Sequence, residues 1–275
     1  MVAMADKANI TTTHRFENMQ HRKVLRSVKG DASIPESVWN SCAHARVTAR
    51  AEIASSPPRH CGRSLSAAPT PSEARFIRNF RTPLQVQRWI DTIPYNPRHT
   101  MRSFRGVCET GTAHCLEAAM TAAVIMERLG HPPLVLSLDS ADRVGHAVLA
   151  YRTKHGRWGA VGQSDYASLK GRRPLYRTIR DLAWSYVDPF VDETGRVKGY
   201  ALLDLDALPG ARDWRWAEGN VWRIERALCQ APHARLRASD ARHATLRARY
   251  RAWRASRPDE RPPAYWYRGG DAFLG

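Results

Sequence analysis

A helix signal followed at once by three strand signals, all between Gly111 and Asp165, sets the frame for the rest of this 275-residue chain. The helix signal begins Gly111-Thr112-Ala113-His114-Cys115-Leu116-Glu117-Ala118-Ala119. Thr112 can cap, the apolar residues Leu116, Ala119, Met120, Ala123, Val124 and Leu129 recur at helical spacing, and Gly130 closes the run. Cys115 therefore falls in the first turn of a helix, where unpaired amides and the positive end of the dipole favour thiolate over thiol. The strand signals run from Leu134 to Leu138, Val144 to Tyr151 and Arg157 to Val161, with turn chemistry between them. His146 stands near the start of the second, and the third ends in the polar cluster Gln163-Ser164-Asp165.

A nucleophile, a base and a group that orients the base are the minimum parts for covalent acyl transfer. The order Cys115, His146, Asp165, on a helix, a strand and the end of the next strand, resembles the transglutaminase-like branch of the papain-like cysteine enzymes. From about Thr82 to about Leu208 the chain is similar to a bacterial group of that superfamily. The likeness is carried by Thr112-Ala113-His114-Cys115, Gly156-Arg157-Trp158-Gly159-Ala160 and Pro174-Leu175-Tyr176-Arg177-Thr178-Ile179-Arg180-Asp181-Leu182. It implies an α+β, papain-like/transglutaminase-like fold, with the Cys-bearing helix packed on an antiparallel sheet and additional C-terminal helices. It also implies a catalytic triad: Cys115 as nucleophile, His146 as general base, and Asp165 as the group that holds the imidazole tautomer. In many relatives the acid stands where this chain has Gly162, so Gln163 and Ser164 are alternative partners for His146. Papain-like enzymes often place an oxyanion-stabilising Gln a few residues before the Cys, whereas here Glu109 lies six positions upstream. An ionised carboxylate repels an oxyanion, so the Cys115 backbone N–H, with His114 or Gln163, is the expected replacement.

Outside this stretch the organisation is coarser. Residues 1–71 show no sustained period and end in Pro-rich segments, which predicts a disordered extension; Cys42 and Cys61 fall inside it. A core over 72–208 follows, then a helical extension over 209–275 packed on it. Thr82 and Pro83 start a helix whose expected buried set is Val86, Trp89, Ile90 and Ile93, facing the Cys115 helix. Arg102 to Gly111 reads as a loop, Pro174 to about Val191 as an amphipathic helix, Tyr200 to Leu205 as a last strand, and His233 to Arg254 as a long Arg-rich helix. The aromatic tail Pro262-Pro263-Ala264-Tyr265-Trp266-Tyr267 is expected to dock on the domain.

A net charge of +17 raises the possibility of a polyanion partner. Its basic residues are mostly Arg and spread through every segment, which argues against a nucleic-acid face. Five cysteines without regular spacing speak for a reducing, cytoplasmic compartment rather than a disulfide framework, and no apolar run approaches the ~20 residues that cross a bilayer. Cys108, His114, Cys115, His131 and His146 lack the close ligand pairs of structural zinc, and Asp139, Asp142 and Asp165 lack the alternation of a calcium loop. No metal or cofactor is expected. The resulting expectation is a cysteine hydrolase or acyltransferase that acts on the amide or ester carbonyl of a peptide or protein through a thioester. The alternatives are an idle papain-like module that binds a peptide or protein, and an Arg-rich polyanion binder.

Overall fold

The computed structural model describes residues 68–209 and 213–257. The readings of the first 67 residues, of Cys42 and Cys61, and of the aromatic tail lie outside those residues.

Four helices come first: α1 (Pro71–Ile77), α2 (Pro83–Thr92), α3 (Phe104–Thr110) and α4 (Cys115–Glu127). A sheet follows from β1 (Leu134–Ser140), β2 (His146–Arg152), β3 (Trp158–Val161), β4 (Arg172–Tyr176) and, after the short helix α5 (Ile179–Trp184), β5 (Val197–Asp204). Helix α6 (Trp222–Gln230), the two-residue β6 (Ala234–Arg235) and helix α7 (Asp240–Ser256) complete the described chain. All pairings are antiparallel, in the order β4-β3-β2-β1-β5-β6. The protein is α+β, with an antiparallel six-stranded sheet.

Alternation along the central strands sends side chains to both faces, and both faces are covered. Val135, Ala147, Leu149 and Tyr151 join Met120, Ala123 and Val124 of α4, Val86 and Ile90 of α2, and Trp214, Ile224 and Leu228 in and before α6. Leu136, Leu138, Val148 and Ala150 meet Leu182 and Ala183 of α5, with Tyr186 and Val187 just beyond it. Helix α4 is buried nearly all round, from Leu116 to Met126, which makes it the central rod of the first layer.

Several expectations are corrected. Arg102 to Gly111 is not a loop: Ser103 caps α3 through the Gly106 N–H, and Gly111, at φ +66°, ends it in the left-handed conformation that glycine adopts without strain. The expected helix from Pro174 is instead strand β4 followed by α5, because Thr178 and Asp181 form a reciprocal capping box that starts the helix only after Thr178. The helix expected from His233 begins at Asp240, capped by Ser239, and Ala234–Arg235 ahead of it form β6. On α2, Gln87 takes the buried place expected of Trp89. Trp89 is half-buried and packs edge-on against Phe76 and Phe80.

Candidate active site

Gln87 explains how the helical layer is locked to the sheet end. Its Nε2 donates to the Gly162 carbonyl at 3.0 Å, and its Oε1 accepts from the Gly162 N–H at 2.9 Å, as a neighbouring strand would. Gly171 lies so close that a Cβ there would stand 2.1 Å from Gln87 Oε1. Gln163 adds a second clamp: its Nε2 donates to the carbonyls of Ile90 (3.1 Å) and Ile93 (2.5 Å) at the end of α2. Both amide protons are thus committed, so Gln163 is not the oxyanion donor the sequence suggested. Ser164 accepts from the Tyr166 N–H at 3.1 Å and holds a turn.

The start of α4 is built around Glu117, a residue the sequence reading passed over. Its carboxylate, wholly buried, accepts from Asn96 Nδ2 (3.1 Å), Thr100 Oγ1 (2.6 Å), the Arg102 N–H (2.9 Å), Arg102 Nε and Nη2 (both 2.9 Å) and the His114 N–H (3.1 Å). Burial pushes the Glu117 carboxyl up, but the Arg102 bond, the nearby His114 and the Thr100 hydroxyl outweigh it and hold the group at about 2. A strand-like bridge between Tyr95 and Ala113 pins the same turn, with the Asn96 N–H on the Ala113 carbonyl and the Ala113 N–H on the Pro94 carbonyl.

The N-cap is His114, not Thr112. His114 Nδ1 accepts from the Leu116 N–H at 3.2 Å, and Glu117 returns a bond to the His114 N–H, closing a capping box. His114 Nε2 donates to the Thr100 carbonyl at 2.6 Å. A carbonyl only accepts, so the neutral ring carries its proton on Nε2 and keeps Nδ1 for the cap. The Ala118 N–H returns to the His114 carbonyl. Of the first-turn amides, that of Cys115 alone is taken by no acceptor among the described residues.

Cys115 is half-buried and His146, opening β2, is 6% exposed. Burial pushes the Cys115 thiol up, yet hydrogen bonds to His114 and His146, and their charges, lower it to about 5. The His114 imidazole is raised in turn: burial opposes its charge, but the Cys115 bond, the Cys115 and Glu117 charges and the Thr100 carbonyl prevail. Cationic His114 has no lone pair for the Leu116 N–H, so capping and carrying charge exclude one another at this ring. The cap is complete only while the ring is neutral, and His146 is the second imidazole against the sulfur.

His146 Nε2 donates to the Leu169 carbonyl at 2.7 Å. That bond sets the tautomer, with Nδ1 carrying the lone pair that can take a proton from Cys115. A backbone carbonyl therefore holds the place expected of Asp165, Gln163 or Ser164. Asp165 is half-buried just past β3, near enough to Tyr95 and Tyr166 to raise both phenols by its charge. Tyr95 is raised well above the ordinary phenol, by burial first and then by the charges of Cys115, Asp165 and Glu117. Its hydroxyl thus keeps its proton within the electrostatic reach of the sulfur. No pattern in the sequence marks Tyr95 or the Leu169 carbonyl, whereas Glu117 could have been found as the fourth residue of a box begun by His114.

Glu109 is exposed at the end of α3. Cys108 beside it is pushed up to about 12, by burial of its sulfur and then by the charges of Glu73 and Glu109, so it is an exposed residue with an inert thiol. Among the described residues no cluster of His, Cys, Asp and Glu could hold a metal ion, and no helix is long and apolar enough to cross a membrane. In comparisons with known proteins, no family model and no curated protein matches the chain.

Proposed function

We propose that the chain is a cysteine-dependent hydrolase or acyltransferase of transglutaminase-like, papain-like organisation, acting on an amide or ester carbonyl. The observation that carries this reading is the Cys115 thiol, lowered to about 5 at a helix N-terminus beside an imidazole whose tautomer is set to accept its proton. In the first half-reaction His146 Nδ1 takes the thiol proton and Sγ bonds to the carbonyl carbon. The Cys115 N–H and the Tyr95 hydroxyl donate to the oxyanion, and the C–N or C–O bond breaks as the imidazolium protonates the leaving group. In the second, water or an amine attacks the thioester carbon and passes a proton to His146, and the expelled thiolate recovers it.

The first test is iodoacetamide labelling read peptide by peptide against pH. Cys115 is expected to label half-maximally near pH 5, well below the ~8.5 of a free thiol, while the more exposed Cys108 stays slow through neutral pH. His146→Ala should move the Cys115 midpoint upward. An ordinary thiol profile at Cys115, indifferent to His146→Ala, would remove the enzyme reading. The idle binding module would then stand, supported by the commitment of both side-chain oxyanion candidates, His114 and Gln163, to structural bonds.

A further inference from the structure

Arg172 opens β4 and is wholly buried, and the chemistry outlined above makes no use of its charge. Its Nη1 donates to the carbonyls of Lys170 (3.0 Å) and Gly171 (3.1 Å), its Nη2 to those of Ser168 (2.7 Å) and Ser185 (3.3 Å), and its Nε to Ser185 Oγ (3.1 Å). None of these partners is a carboxylate. The Tyr186 ring lies 3.9 Å from the guanidinium carbon, and the Tyr186 hydroxyl donates to the Lys170 carbonyl at 3.0 Å. Of the four successive carbonyls from Ser168 to Gly171, three turn to Arg172, and the fourth, that of Leu169, accepts from His146 Nε2 at 2.7 Å. A cation buried without a counter-ion is costly to keep, and an apolar side chain stacked on Tyr186 would avoid that cost. What an apolar side chain cannot do is hold three carbonyls of one tight segment in a single direction.

We propose that Arg172 is a positioning residue for His146: by gripping the carbonyls on either side of Leu169 it aims the Leu169 carbonyl at His146 Nε2. The planar fork of Arg spans several acceptors at once, and a Lys ammonium at the same place does not. Loosening the segment frees the imidazole to rotate or change tautomer, and the pair with Cys115 weakens. This inference rests on the reading of Cys115 and His146 as a thiolate–imidazolium pair.

The experiment is the pH profile of Cys115 alkylation by iodoacetamide in the full chain, for wild type, Arg172→Lys, His146→Ala and the double variant. The other titratable groups around the sulfur stay in place in all four: His114 and Glu117 on its own helix, Tyr95 beside Ala113, and Asp165 past β3. Arg172→Lys is expected to raise the midpoint by about one pH unit, which below the midpoint is about tenfold slower labelling. In the His146→Ala background the same change should produce no further shift, because its route to the sulfur is gone. Superimposable wild-type and Arg172→Lys profiles, or shifts that add in the double variant, would overturn the inference while leaving the Cys–His pair intact. An ordinary thiol profile in wild type would instead overturn the reading beneath it. Should Arg172→Lys not fold, Tyr186→Phe decides: it removes only the hydroxyl bond to Lys170 and should slow labelling at pH 5 by about fivefold, again only while His146 is present.

Discussion

At the scale of single residues, the site separates two properties that surface exposure alone would confuse. Cys108 is an exposed residue whose thiol is pushed up by burial of the group and then by the charges of Glu73 and Glu109, whereas Cys115 is half-buried and acidic because hydrogen bonds and charge outweigh burial there. Tyr95 belongs to the same argument. Its phenol stays protonated because burial and neighbouring negative charge both disfavour the phenolate, so it keeps the proton that the proposed oxyanion contact needs. Tyr95→Phe is therefore expected to lower kcat on an activated ester by about 10²-fold, the scale of one lost oxyanion donor, while the pH midpoint of Cys115 labelling stays within a few tenths of a unit. A labelling midpoint that moves as far as turnover falls would assign Tyr95 to the thiolate instead.

At the scale of elements, the start of α4 is a structural knot that also carries the proposed nucleophile. Glu117 ties the 94–103 turn to the helix through Asn96, Thr100 and Arg102, and it does so within the same first turn as Cys115. Glu117→Gln removes the buried charge that Arg102 faces and is expected to lower stability by about 3–5 kcal/mol, read from the midpoint of urea unfolding by circular dichroism. The acid limb carries a second signature. The Glu117 carboxyl is held at about 2 in the fold against ~4.3 in the unfolded chain, so its stabilisation is complete above the unfolded value and is lost as pH falls toward 2. Between those values the wild type should lose stability faster than Glu117→Gln, and parallel curves would show that Glu117 is not charged in the fold.

At the scale of the whole molecule, the packing is uneven. Helix α4 and the central strands are buried on every side, whereas α7 joins the rest through Leu246 and Tyr250 against Val191, with Trp253 alongside, and through ion pairs of Arg242 with Asp188, Arg251 with Glu193 and Arg196 with Asp240. Each of these ion pairs has one partner more than half exposed, so the apolar trio contributes most of the attachment. Tyr250→Ala is expected to cost about 3 kcal/mol of local stability, seen as faster amide exchange in α7 with α4 protection unchanged. Equal loss of protection in both helices would show that α7 opens only with the whole fold. The ion pairs also bear on the +17 charge, since Arg102, Arg105, Arg196, Arg215, Arg242 and Arg251 each face a carboxylate of this chain.

The chain's own pattern determined what is local. Apolar spacing at three and four residues marked α4, short apolar runs bounded by turn chemistry marked the strands, and these two signals put Cys115 at a helix start and His146 at the opening of a strand. Caps were legible only where the capping residue is of an ordinary kind: Thr82 was found, while His114 was missed because Thr112 is the commoner choice. Only the tertiary structure decided who orients His146. The sequence offered three side chains for that task, but Gln163 goes to the end of α2, Ser164 to its own turn and Asp165 to the neighbourhood of Tyr95 and Tyr166. The Leu169 carbonyl does it instead. Every residue carries a carbonyl, so nothing in the identity of residue 169 announces the role; it arises where a buried guanidinium, reached through the fold, turns one short segment toward the imidazole.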